Sequence, residues 1–259
     1  MKITVLDNAT LANTSLACLE QLGSLKTYEL TSPEQVVEHS QGADILITNK
    51  VVLNRETISQ LKNLKLICVS ATGTNNVDLE AAKDHGIAVT NVAGYSTPSV
   101  VQHTFSLITN LLGNTHRYQA DCQQGAWQKS EMFCRLDYSF NDLQGKTLTI
   151  IGGGTLGQAV ANVAEAFGAN VVMSERKGAP CRDGRTPFDE AIKTADIISV
   201  HCPLTEETRN LITLNEFKVM KPSCIIINTA RGGIINEADL TSALEQNIIA
   251  GAGVDVLTK

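Results

Sequence analysis

Gly152-Gly153-Gly154-Thr155-Leu156-Gly157 has the G-x-G-x-x-G spacing of a phosphate-cradling turn, and the residues on either side supply the setting such a turn needs. Thr147-Leu148-Thr149-Ile150-Ile151 before it is a short β-branched apolar run that reads as a strand. After it, Ala159, Val160, Val163, Ala164 and Phe167 recur at helical spacing until Gly168. Asn170 to Ser174 reads as a second strand with Glu175 at its end. In such a unit Gly152 permits the tight turn, Gly154 lets the backbone approach a pyrophosphate, and Gly157 lets helix and strand pack closely. The helix N-terminus presents unpaired N–H groups and positive dipole to phosphates. Glu175 stands where an acid accepts hydrogen bonds from the adenine-side ribose hydroxyls. A glycine-rich structural turn is the competing reading, and the surrounding strand, helix and acid favour dinucleotide binding instead.

Other polar residues fall just past apolar runs. His201-Cys202-Pro203-Leu204-Thr205 follows one, and Asn228-Thr229-Ala230-Arg231-Gly232-Gly233 follows another. Arg231 reads either as a fork that holds a carboxylate by two parallel hydrogen bonds or as half of a structural ion pair. His201 has the ordinary pKa of a general acid, against which stands a packed or cofactor-contacting histidine. Asp255 lies inside the apolar run Ile249–Val256, a costly place for a charge unless it is paired or meets a polar ligand. His103 sits in an apolar helix and reads as structural or interfacial, while His39, His85 and His116 read as surface residues. The small-residue loop Ser70 to Asp78, with Thr72, Gly73 and Thr74 at its centre, can present several N–H groups to an anion. Its plainer reading is a β–α turn capped by Asn76 or Asp78.

The elements that must position these groups alternate along the whole chain. Lys2–Leu6, Asp44–Thr48, Leu64–Val69 and Ile87–Asn91 read as strands, with helices such as Pro33–His39 and Arg55–Asn63 between them. Ser99 to Leu112 is a long apolar helix that leaves this first domain. Asn114 to Asp142 holds the only tryptophan, Trp127, and interrupts the alternation as an arm, either a surface excursion or a partner-binding segment. The rhythm then restarts with strands at Thr147–Ile151, Asn170–Ser174, Asp196–His201, Cys224–Thr229 and Ile249–Val256. Near-continuous apolar strands of this kind are central strands of a parallel sheet covered on both faces. The expected architecture is α/β with a smaller parallel domain over residues 1–98 and a doubly wound, Rossmann-type domain over 99–259.

At 259 residues, with 43% hydrophobic and 19% charged residues, the chain has the composition of an ordinary globular protein of two modest domains. A net charge of −6 argues against nucleic acid or an anionic membrane as partner. No apolar run reaches spanning length, and Ile3 to Leu6 is too short for a signal peptide. The 7 cysteines are scattered, with neither a C-x-x-C pair nor zinc-ligand spacing, so free thiols in a reducing cytoplasm and no metal are expected.

These residues together resemble the D-isomer-specific 2-hydroxyacid dehydrogenases, most of all their glycerate dehydrogenase (hydroxypyruvate reductase) branch. The resemblance runs along nearly the whole chain: Ala71 to Asp78, Gly94-Tyr95-Ser96-Thr97, Gln102-His103-Thr104-Phe105, Trp127-Gln128-Lys129-Ser130, Glu175-Arg176-Lys177-Gly178, His201 to Thr205, and Asn228 to Gly233. It implies a flavodoxin-like first domain and a cleft with cofactor on one wall and a small 2-oxo or 2-hydroxy acid on the other. Arg231 would bind the substrate carboxylate and polarise the 2-oxo group, with backbone around Thr72, Gly73 and Thr74 on the other side. Thr155 and Leu156 would lie on the pyrophosphate, and Cys202, Pro203 and Thr208 along the cofactor. Thr229 and Ala230 would border the nicotinamide, Asp255 would receive its carboxamide, and His201 becomes a cofactor-side residue. Glu175 favours NAD, although Arg176 beside it could bind the extra phosphate of NADP. The arm resembles a dimerisation segment and implies a homodimer.

Two departures from the family pattern carry expectations. The family's proton carrier, a histidine oriented by a glutamate, lies C-terminal to the strand containing Asp255, and this sequence ends at Leu257-Thr258-Lys259. A piece of the fold without that pair, a further strand and a returning helix is expected to turn over weakly, by a factor of ~10²–10⁴. Gly153 replaces a larger family side chain, with an expected cost in rigidity and not in binding. Competing readings are a 3-phosphoglycerate or other 2-hydroxyacid dehydrogenase, a dinucleotide-binding protein without catalysis, and an inert fragment with an open sheet edge.

Overall fold

The computed structural model describes residues 1–258, which divide into two compact units at Ser96 and Thr97. The first carries strands β1 (Lys2–Val5), β2 (Ser24–Thr27), β3 (Ile45–Thr48), β4 (Leu66–Val69) and β5 (Ala88–Asn91). All pair in parallel in the order β2-β1-β3-β4-β5, the flavodoxin-like order. That order reverses direction between β1 and β3, the place where such sheets ordinarily leave a crevice. Here the crevice is filled from within. Asp7, buried just past β1, accepts backbone N–H bonds from Asn49 (3.0 Å), Lys50 (2.6 Å) and Val51 (3.3 Å).

The second unit carries β6 (Thr147–Ile151), β7 (Asn170–Met173), β8 (Ile197–Val200), β9 (Ile225–Asn228) and β10 (Gly251–Val254), parallel in the order β10-β9-β8-β6-β7. Side chains alternate between two cores, as the period of two in a strand requires. Leu148, Ile150, Ile197, Ile225 and Ile227 join a cluster with Phe105, Ile108 and Val160 on one face. Ile151, Ile198, Val200 and Ile226 join Phe188, Ile192 and Phe217 on the other. Helix Thr97–Gly113 buries Thr104, Phe105, Ile108 and Leu112, an apolar stripe at spacings of one, three and four. A Cβ on Gly253 would stand 3.0 Å from the Cβ of Leu107, so β10 is glycine where that helix crosses it. Past β7, Ser174 forms a one-residue parallel bridge with Thr186.

Several expected elements take a different form. β2 has no counterpart in the sequence reading because its residues are half to fully exposed and carry no apolar alternation. The segment read as one helix from Pro33 splits into a 3-10 turn, Pro33–Gln35, and helix Val36–Ser40. Helix Arg55–Gln60 is capped by Asn54, whose side chain accepts from the Thr57 N–H, and it stops before Asn63. β10 ends at Val254, so Asp255 is an exposed residue beyond the strand and not a charge within it.

The arm contains helix Thr115–Gln123 and a turn-rich return. Polar aromatic contacts knit the two together. The Tyr138 hydroxyl donates to Asp121 (3.0 Å), Arg135 pairs with Asp121 and Asp137, and the Arg117 guanidinium lies 3.8 Å over the Tyr138 ring. Apolar side chains on its outside are left in water: Phe133 is 95% exposed, and Leu136 and Phe140 are exposed too.

Candidate active site at the switch point of the second sheet

The direction of the second sheet reverses between β6 and β8, and the glycine turn leaves β6 at that point. Gly152 has φ 102°, and a Cβ on it would stand 2.5 Å from the Cys202 nitrogen, so both conformation and close approach demand glycine. Gly157, one turn into helix Thr155–Ala166, would drive a Cβ into the Gly152 carbonyl oxygen. Gly154 caps this helix in extended backbone, and a Cβ there would meet no atom within 4 Å. Thr155 and Leu156 form the first turn, which holds no acidic residue to neutralise its N–H groups.

A cleft of about 630 Å³ opens over this turn. Gly152, Gly153 and Gly154 form its floor, Glu175, Arg176, Arg182 and Arg185 one end, and His201, Cys202, Pro203 and Thr208 a wall. The Thr208 hydroxyl donates to the Pro203 carbonyl (2.6 Å) and accepts from the Thr205 N–H (2.7 Å), which staples the wall loop. His201 is buried, its Nε2 lies 2.8 Å from the Ser199 hydroxyl, and its Nδ1 is buried without a partner. Burial alone lowers its pKa from 6.5 to about 4. The imidazole is therefore neutral at pH 7 and is no general acid. Burial also raises the Cys202 thiol to about 11 and Cys224 to about 12, so neither is a nucleophile at neutral pH.

At the end of β9, Asn228 builds the loop that carries Arg231. Its side-chain oxygen accepts from the Ala230 N–H (3.0 Å) and its amide donates to the Arg231 carbonyl (2.9 Å). Thr229 is buried with its hydroxyl 3.0 Å from that of Thr104. Arg231 is exposed, donates to the Ala230 carbonyl (2.7 Å), and forms no ion pair among the described residues. The structural ion pair open to it in the sequence is absent there, and its fork is available to an anion. Asp255 instead meets His103 at 3.1 Å, both half exposed, so His103 faces a carboxylate and not the core.

In the first unit, Thr72 donates to the Val92 carbonyl (3.1 Å) and its own carbonyl accepts from the Asn91 amide (2.7 Å). Gly73 and Thr74 follow half exposed, and Asp78 caps the next helix through the Ala81 N–H (2.8 Å). Asn76 does not cap; its amide donates to the Val51 carbonyl (3.1 Å).

The family profile described as "D-isomer specific 2-hydroxyacid dehydrogenase, NAD binding domain" matches residues 105–259, more than half of the chain. The chain belongs to the D-isomer specific 2-hydroxyacid dehydrogenase family. It is 43% identical to a glycerate dehydrogenase of Methylorubrum extorquens over 90% of this chain and 74% of that one. It is 35% identical to a hydroxypyruvate reductase of Blautia hydrogenotrophica over 100% of this chain and 83% of that one. Among solved structures, an acyclic imino acid reductase in complex with NADPH and D-Arg superposes with a TM-score of 0.87 at 29% identity, covering 100% of this chain and 84% of that one. This dehydrogenase is thus an oxidoreductase of CH–OH groups that uses a nicotinamide dinucleotide, NAD or NADP. The cleft fits that cofactor: Gly154 is open where a pyrophosphate would approach, and the helix that starts beside it carries no acidic residue in its first turn.

Two contributors escape the sequence reading. Arg182 and Arg185 lie in the stretch between Glu175 and Phe188, where no periodicity marks them, and only the fold-back to the Ser174–Thr186 bridge brings them to the cleft.

Proposed function

We propose that this dehydrogenase interconverts glycerate and hydroxypyruvate. The observation that carries the reading is the exposed Arg231 guanidinium at the carboxyl end of β9, on a loop that Asn228 clamps through its backbone and without a carboxylate partner among the described residues, in a chain whose relatives include a glycerate dehydrogenase and a hydroxypyruvate reductase. Arg231 takes the substrate carboxylate by two parallel hydrogen bonds and draws charge from the 2-oxo oxygen. In this reading the loop of Thr72, Gly73 and Thr74 in the first unit is a carboxylate-binding loop that offers backbone N–H groups. Gly152, Gly154, Thr155, Leu156 and Gly157 hold the pyrophosphate. Glu175 and Arg176 stand at the ribose end, and His201, Cys202, Pro203 and Thr208 form the wall. Thr229 and Ala230 border the nicotinamide, and Asp255 receives its carboxamide. When bound, the nicotinamide supplies or takes up the hydride. Residues 1–98 serve as the substrate domain and 99–259 as the cofactor domain.

The rival substrate 3-phosphoglycerate needs cations for its phosphate, and the loop Thr72–Asp78 carries none. The test is kcat/KM of the full chain with hydroxypyruvate, glyoxylate and 3-phosphohydroxypyruvate. A preference for hydroxypyruvate over the phosphorylated acid of about 100-fold or more is expected, and the reverse order would sink the assignment. The arm, with Phe133, Leu136 and Phe140 in water, is the homodimer contact in this reading. No helix among the described residues is long and apolar enough to cross a membrane, and the 7 free cysteines suit a reducing cytoplasm.

A further inference from the structure

The acid at the end of β7 is where a ribose diol would be bound, yet Glu175 has no hydrogen-bonding capacity left. One carboxylate oxygen accepts from Arg182 Nη2 (2.6 Å) and the Arg176 N–H (2.8 Å). The other accepts from Arg182 Nε (2.6 Å) and the Arg182 N–H (3.3 Å). A carboxylate has about four acceptor sites, and four donors occupy them. The side chain is only 1% exposed, whereas that of Arg182 above it is 61% exposed. What this end of the cleft presents to a ribose is a guanidinium and not a carboxylate.

The cations around it reinforce that sign. Arg176, Lys177, Arg182 and Arg185 line the cleft here, against only Glu175 and Glu207. Lys177 is engaged by Glu216 at 2.7 Å, but Arg176 and Arg185 have no carboxylate partner within ion-pair distance among the described residues. Arg185 lies directly on the glycine turn. A Cβ built on Gly153 would stand 2.5 Å from both its terminal nitrogens. The missing side chain at Gly153, which the sequence reading takes as a loss of rigidity, makes the space that this guanidinium fills.

We propose that Arg176, Arg182 and Arg185 form a site for the 2′-phosphate of the dinucleotide, so that the enzyme prefers NADP(H) to NAD(H), with Arg182 masking Glu175 and Gly153 admitting Arg185. A phosphate monoester supplies the doubly charged, multi-acceptor group that the forks of Arg176 and Arg185 and the remaining Nη1 of Arg182 complement, and a bare diol does not. The expectation drawn from Glu175 alone, a preference for NAD, is thereby reversed. The proposal rests on dinucleotide binding at this cleft.

Dissociation constants for NADPH and NADH, from the fluorescence of each titrated with the full chain, test it, with adenosine 2′,5′-bisphosphate and 5′-AMP as competitors. NADPH is expected to bind at least about tenfold more tightly than NADH, a difference of about 1.4 kcal/mol. The bisphosphate is expected to compete better than 5′-AMP. Gly153→Ala and Arg185→Gln should each weaken NADPH several-fold more than they weaken NADH. Arg182→Ala should uncover Glu175 and move the preference toward NADH. Equal or tighter NADH binding by the unaltered chain would overturn the 2′-phosphate site while leaving the dinucleotide cleft intact. Binding of neither cofactor by a folded chain would overturn both.

Discussion

Arg231 and His201 show how environment assigns roles to residue types that sequence alone leaves open. The arginine is exposed, donates one bond to the Ala230 carbonyl and has no carboxylate partner among the described residues. Arg231→Gln is expected to lower kcat/KM for hydroxypyruvate by roughly 10- to 100-fold, the worth of a charge-assisted hydrogen-bonded pair. Arg231→Lys should recover only part, since a point charge lacks the fork. His201 makes a pH prediction. Its folded pKa of about 4 lies below the unfolded 6.5, so between those values the unfolded chain binds more protons. Its contribution to stability is present above pH 6.5 and is lost as pH falls toward 4, by up to about 3 kcal/mol. Glu175 acts at lower pH: bonds from Arg182, then from the Arg176 N–H, hold it at about 2, so its contribution fades as pH falls from 4.5. Urea midpoints measured from pH 8 to 4 check the first effect. A flat profile there, or the same slope in His201→Gln, would contradict it.

At the scale of elements, the glycine turn and its helix form one rigid unit. A methyl group at Gly157 meets a backbone carbonyl that no rotamer change can move. Gly157→Ala is therefore expected to cost roughly 1–3 kcal/mol and to weaken both dinucleotides, measured as a thermal midpoint and a dissociation constant on the same sample. This unit was legible because its signals agree: a β-branched run, fixed glycine spacing and a helical apolar stripe describe one structure. The other strands of the second sheet were legible for a related reason, since β8 and β9 are buried on every residue and read as unbroken apolar runs. β2 was not, because an edge strand with exposed residues needs no apolar pattern. Arg182 and Arg185 were not either. Their place depends on how far the chain runs beyond Glu175 before it returns to the sheet at Thr186, which residue types in the loop do not encode. For the same reason Glu175 could be located in the sequence, but its masking could not.

At the scale of the molecule, two parallel sheets with one strand order put their switch points to opposite uses. The first closes its crevice with Asp7 on three backbone N–H groups, and the second leaves its crevice lined by glycine and arginine. The apolar outside of the arm, with Phe133, Leu136 and Phe140 exposed, is costly for a lone chain in water. Sedimentation equilibrium is expected to give a dimer, and Phe133→Asp with Leu136→Asp a monomer. A monomeric unaltered chain at tens of micromolar would reject the arm as a dimer contact. Each role assigned to the second unit requires the cleft over the β6 turn to be a nicotinamide dinucleotide site. Calorimetric titration of the full chain with NADPH and with NADH tests this most directly. One saturable site per chain, lost when Gly157 is replaced by leucine in a protein that stays folded, is the predicted result. A folded chain that gives saturable binding with neither dinucleotide would contradict it.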